Sequence, residues 1–221
     1  MLLLFCLVII AIVAASQYRN GIFTAVTMTI QVMIAGLIAF NFWEPVANQL
    51  DEYWQDGKLA GFEDCVALTA LFALALGGLR LITNRLNKAM LDFNHIAQQI
   101  GGPAIGLVTG YLVSGLVICV LQTLPIEEDF LGFAPRRADE PGLRSYFPAD
   151  RVWLALMRHA GAYPLASKEE NPDAESPFDR WATFDREGTF ELRYARYRRH
   201  TEKRPPYVYQ GELDRELGVR K

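Results

Sequence analysis

Residues 102–124 read GPAIGLVTGYLVSGLVICVLQTL. The run carries no charge, and small residues return at every fourth position as Gly102, Gly106, Gly110 and Ser114. On an α-helix that step places all four along one slowly drifting face. Lipid offers little hydrophobic drive for helix association, so close packing and weak hydrogen bonds must supply it, and a face without side chains lets two backbones approach. Pro103 suits the first turn of such a helix, and Pro125 lies just beyond its end. The stripe predicts a membrane helix bundle with this segment at its packing centre.

Working outward, three further segments are apolar enough to cross a membrane, where about 20 helical residues are needed and shorter ones are tolerated. They are Leu2 to about Tyr18, Gly21 to about Trp43, and Cys65 to about Thr83. The first could be read as a signal peptide, with Val13-Ala14-Ala15 before a cleavage at Ser16. No charge precedes Arg19, so a retained span is the better reading. The second span aligns Thr24, Thr27, Gln31, Ala35 and Ala39, and the third aligns Thr69, Ala73 and Gly77. Both stripes are expected to face the interior of one tight bundle. Gln31 is the one strongly polar side chain deep in a span; it either bonds a neighbouring helix or lines a solute path.

Charge divides the chain in two. Residues 1–125 hold 5 of the 22 Lys and Arg and 7 of the 25 Asp and Glu. The remainder, residues 126–221, forms a charge-rich aqueous tail. The near-balanced charge gives no footprint for nucleic acid. Cys6, Cys65 and Cys119 all lie in apolar segments, with no disulfide framework and no zinc-like spacing. No metal, cofactor or catalytic constellation is indicated. His159 and His200 of the tail lack a nucleophile setting and read as surface or packing residues.

Arg19 in the first connection, and Arg80, Arg85 and Lys88 around the third, mark one side of the bundle as cytoplasmic. Lys58 stands alone on the other side, among Glu44, Asp51, Glu52, Asp56, Glu63 and Asp64, which are read as a solvated outer loop. Both termini and the tail then lie outside the cytoplasm. Between Asn84 and Ile100, Leu86, Met90, Phe93, Ala97 and Ile100 recur at helical spacing, predicting an amphipathic helix in the inner interface.

In the tail, Asp150–Ala160 predicts a short helix with Val152, Trp153, Leu156, Met157 and Ala160 on its apolar side. Ala166–Phe178 reads as a linker. Alternation of Phe190, Leu192 and Tyr194 predicts a strand or hairpin edge. The fold class is therefore an all-α, four-span membrane bundle (residues 1–125) with an interfacial helix and a small, partly irregular tail that could dock on the bundle's outer face.

This layout resembles the colicin V production protein family of bacterial inner-membrane proteins over roughly residues 1–125. The resemblance rests on four spans, the turn Arg19-Asn20-Gly21-Ile22-Phe23, and the fourth-span repeat Gly102, Gly106, Gly110. Where the family pattern has an Asp-Arg pair and a basic residue, this chain has Gln98-Gln99 and Thr109. The resemblance implies a multi-pass protein tied to colicin V production or export, with no enzymatic activity. The expected partners are the lipid bilayer, a protein bound through the tail and a second copy of the chain. Two functions follow as expectations: a scaffold or assembly factor for envelope processes, or a small channel or transporter using the Thr24, Thr27 and Gln31 face.

Overall fold

The computed structural model describes residues 1–18, 21–54, 61–86, 95–126, 130–132, 148–162, 184–185 and 190–201. Among them the regular structure is entirely helical: α1 (Leu2–Tyr18), α2 (Gly21–Trp54), α3 (Glu63–Leu86), α4 (His95–Thr123), a short 3-10 turn (Phe130–Gly132), α5 (Ala149–Ala162) and α6 (Phe190–Thr201). Three stretches, Gly21–Trp54, Glu63–Arg85 and Ile100–Thr123, are long and apolar enough to cross a membrane, and Leu2–Tyr18 is a shorter apolar helix.

The ends of these helices follow local chemistry. Gly21, at φ 75°, supplies the left-handed residue that the turn into α2 requires. At the start of α3 the Glu63 carboxylate accepts the Gly61 N–H at 2.7 and 2.9 Å. Glu63 and Asp64 also place negative charge at the positive end of the helix dipole.

Two boundaries differ from the sequence reading. Part of the expected acidic loop is helix, because α2 runs on through Pro45 to Trp54. Proline removes only the bond to the Asn41 carbonyl, and at the water boundary that group can be solvated. The amphipathic segment is not a separate helix where it is described: its first residues end α3, and residues 95–100 begin α4. Of that apolar face Ile100 is exposed; residues 87–94 and the side chains of Leu86 and Ala97 lie outside the described residues, as do Arg19, Lys58, Lys88 and the linker at 166–178.

α4 is the centre of the bundle. α1 lies along it, α2 packs on it and on α3, and α5 enters between α4 and α2. The main core joins Val32, Phe40 and Trp43 of α2, Leu68 of α3, and Leu112, Leu116 and Cys119 of α4. Tail residues Trp153, Met157, Phe190 and Tyr194 belong to the same core. A second cluster ties Cys6 of α1 to Ile118, Phe130 and Ala149. The start of α1 and the end of α4 therefore share one end of the bundle, where the tail helices also sit.

The expected strand at Phe190–Tyr194 is a helix. Phe190, Tyr194 and Arg198 are spaced four apart, and all three are buried. The step of two between Phe190, Leu192 and Tyr194 concealed a step of four, and packing on the bundle selected the latter. α5 covers the expected Asp150–Ala160 and runs on through Gly161 to Ala162, but its buried side is Ala149, Asp150, Trp153, Leu154, Met157, Gly161 and Ala162. Val152 is exposed, so the inward face is rotated from the apolar side expected of it.

Candidate functional site

The glycine repeat of α4 faces α1. A Cβ at Gly102 would stand 2.9 Å from the Gln17 carbonyl oxygen, at Gly106 2.9 Å from Ala14 Cα, and at Gly110 2.8 Å from Ile10 Cα. These are approaches to backbone, which cannot rotate away as a flexible side chain can. Ser114 continues the face, its side chain beside Cys6. Its hydroxyl donates to the Tyr111 carbonyl at 2.8 Å.

The α3 stripe does otherwise. Thr69, Ala73 and Gly77 are all exposed, and a Cβ at Gly77 would meet nothing within 4 Å. The expectation that this stripe faces the bundle interior is corrected: α3 packs on α2 through Leu68, Leu71, Phe72 and Leu76. Those larger residues remove more apolar surface than the small ones would.

On α2, Thr24 is exposed and Thr27 half-buried, its hydroxyl donating to the Phe23 carbonyl at 2.9 Å. Gln31 is buried, and its amide donates to Thr83 Oγ1 of α3 at 2.8 Å. Thr29 and Thr109 hydroxyls meet at 2.6 Å between α2 and α4. Gln31, Thr29 and Thr109 thus link helices to one another, whereas Thr27 bonds within its own helix. The structure does not bring Gln31 together with the glycine repeat, which lies on the α1 side of α4.

Sequence reading missed a second pair of glycines. Gly36 of α2 and Gly115 of α4 form the walls that receive α5. A Cβ on Gly36 would lie 2.4 Å from the Trp153 indole, and one on Gly115 would lie 2.2 Å from the Ala149 carbonyl oxygen. Trp153 is fully buried there, 6.0 Å from the Phe40 ring centre. Gly115 adjoins Ser114 but points to a different neighbour, a distinction that spacing along one helix cannot make.

Gln122, near the end of α4, holds both tail helices. Its side-chain amide donates to Asp150 Oδ2 of α5 at 2.9 Å. Its backbone carbonyl accepts from Arg198 Nη1 of α6. All three residues are almost wholly buried, and Arg198 lies over the Phe130 ring at 5.5 Å. Burial of either charge without a partner costs several kcal/mol, and each is met by a different group of Gln122. Arg151 of α5 also pairs with Glu191 of α6 at 3.2 Å, tying the two tail helices together.

α6 is held from the side as well. The Tyr194 hydroxyl donates to Asp64 Oδ2 at 2.8 Å. Burial, and then the Asp64 charge, push the Tyr194 hydroxyl far above the ordinary tyrosine range. Arg193 pairs with Glu44 at 3.1 Å and stands 5.8 Å from the Trp43 ring centre. Burial is the largest influence on the Arg193 guanidinium and opposes its charge, but the Glu44 hydrogen bond together with the charges of Tyr194, Glu44 and Asp64 raises its pKa on balance. Among the described residues no cluster of His, Cys, Asp and Glu could hold a metal ion.

The model of the family described as colicin V production protein matches residues 3–135. This chain belongs to the colicin V production protein family. No curated protein and no solved structure matches it significantly. In this family member the match spans α1 to α4 and the 3-10 turn, so the Gly36 and Gly115 groove lies within the family region. The two helices that cover it, α5 and α6, follow after that region. This member of the family is accordingly a multi-pass membrane protein, with α5 and α6 folded onto its bundle.

Proposed function

We propose that this chain is a non-enzymatic inner-membrane scaffold or assembly factor for export and envelope processes of the colicin V production type. Its folded tail would present a protein-binding face outside the cytoplasm. The observation that carries this reading is the burial of Asp150, Trp153 and Arg198 against α2 and α4. A tail anchored this deeply offers a surface of fixed geometry, which lowers the ordering cost of binding a partner.

In this reading α1 is a fourth span. Seventeen residues extend about 26 Å as helix, a little short of the roughly 30 Å hydrocarbon layer. Mismatch of that size is absorbed by local thinning. The sidedness rests on Arg80 and Arg85 lying toward the α3 end away from the tail, and on the sequence position of Arg19 between α1 and α2.

The channel or transporter reading is the weaker one, because Gln31 and Thr109 take part in interhelical hydrogen bonds. Topology reporters fused after Asn20, Gly57, Lys88 and Lys221 test the orientation. Cytoplasmic signal is expected at Asn20 and Lys88 alone, and a cytoplasmic Lys221 overturns the proposed partner side. Replacing Gln31 with Leu should leave partner capture by the tail unchanged, whereas loss of a solute flux would favour a transporter.

A further inference from the structure

Where α6 meets α2 there is a cavity of about 60 Å³ that the docking of the tail does not fill. Phe40, Trp43, Phe184 and Phe190 line it together with the charged residues Glu44, Asp185 and Arg193. Phe40 and Phe184 meet edge to face at 5.1 Å, and Phe184 and Phe190 lie 5.9 Å apart. These buried rings give the cavity fixed walls.

Three features of the cavity define its ligand. The first is depth. Glu44 is the first charge on α2 after the apolar run from Gly21 to Trp43, so the opening lies where a span leaves hydrocarbon for headgroups, with Trp43 as an interfacial aromatic. The second is charge. Arg193 and Glu44 stand paired at the mouth at 3.1 Å and Asp185 accepts the Phe190 N–H at 3.2 Å, so a zwitterion that sets its ammonium by the carboxylates and its phosphate by the guanidinium extends a pair already in place. A guanidinium is well matched to phosphate oxygens. The third is size. A volume of about 60 Å³ has room for a few waters, and a small ammonium group fits it.

We infer that this cavity is a binding site for the headgroup of an ethanolamine phospholipid, with the ammonium beside Glu44 and Asp185 and the phosphate at Arg193. The bound lipid would join α2 to α6 at the membrane surface and so strengthen the attachment of the tail.

The test uses the full chain in detergent micelles with added dioleoyl phosphatidylethanolamine, phosphatidylcholine or phosphatidylglycerol at equal mole fraction. The ethanolamine lipid should raise the melting temperature by about 3 °C more than either other lipid. Glu44→Gln should remove that difference. Tyr194→Phe, which alters a contact with Asp64 outside the cavity, should keep it. Equal shifts for all three lipids, or a difference that survives in Glu44→Gln, overturn the site. Soluble phosphoethanolamine reproducing the full shift overturns the lipid as its source. Native mass spectrometry of the unmodified chain in an equimolar mixture supplies a readout independent of any variant. Ethanolamine adducts should exceed glycerol adducts by about fivefold, roughly 1 kcal/mol of preference, and equal adducts reject the proposal.

Discussion

The fourth and third helices carry the same device in sequence and use it differently. Gly102, Gly106 and Gly110 on α4 meet the backbone of α1 within 3 Å of a hypothetical Cβ, whereas Gly77 on α3 meets nothing within 4 Å. A four-residue step of small side chains creates the capacity for close approach, but a neighbour must arrive to use it. α4 is surrounded by α1, α2 and α5, and no residue from Thr109 to Thr123 is exposed. α3 packs chiefly on α2 and turns its smallest residues outward. Spacing defines a face; only the surrounding helices decide whether that face is an interface.

Four substitutions break or sharpen this contrast. The largest loss is expected for Trp153→Ala, which empties the Gly36 and Gly115 groove and should cost about 4 kcal/mol. Limited proteolysis in detergent should then release the tail while the membrane helices stay protected. Persistent tail protection would mean that Gln122 and Tyr194 suffice to hold it.

Gly110→Leu comes next, at about 3 kcal/mol, because overpacking must push Ile10 and its helix backbone away. Detergent melting compares it with its counterpart on α3, Gly77→Leu. That second variant should stay within about 0.5 kcal/mol of the parent, as for any surface site. Equal losses for the two would abolish the distinction between the stripes.

Between these extremes lies Tyr194→Phe, expected to cost about 1 kcal/mol at neutral pH through loss of the bond to Asp64. Its pH dependence is more telling. The folded state holds the Tyr194 pKa above the ordinary value near 10, so the folded form binds its proton more tightly than the unfolded chain. The stabilisation is fully present below pH 10 and is lost progressively as the pH rises past it. Melting curves between pH 8 and 11 (on the order of one tyrosine titration) should therefore fall more steeply for the parent than for the variant.

Much of the fold can be read in the residues themselves, and the exceptions share a cause. The extents of α1 and α5 follow from charge-free or amphipathic runs bounded by turn residues. The identity of α6 does not, because Phe190, Leu192 and Tyr194 satisfy a strand period, while Phe190, Tyr194 and Arg198 satisfy a helical one. Arg198 in particular looks like solvent-exposed charge until Gln122 and Phe130 enclose it. Likewise Gly36 and Gly115 read as ordinary small residues in spans. Their role depends on a tryptophan lying 117 and 38 residues further along the chain, a separation at which no local pattern carries information.

The glycine repeat, the uncharged runs and the placement of arginines by themselves determined a helical membrane protein of the colicin V production type, since burial in lipid constrains composition residue by residue. Which stripe became a contact, and where the tail came to rest, was decided only in the tertiary structure. Those outcomes depend on which long-range neighbours can fill the same space, and no single segment encodes that.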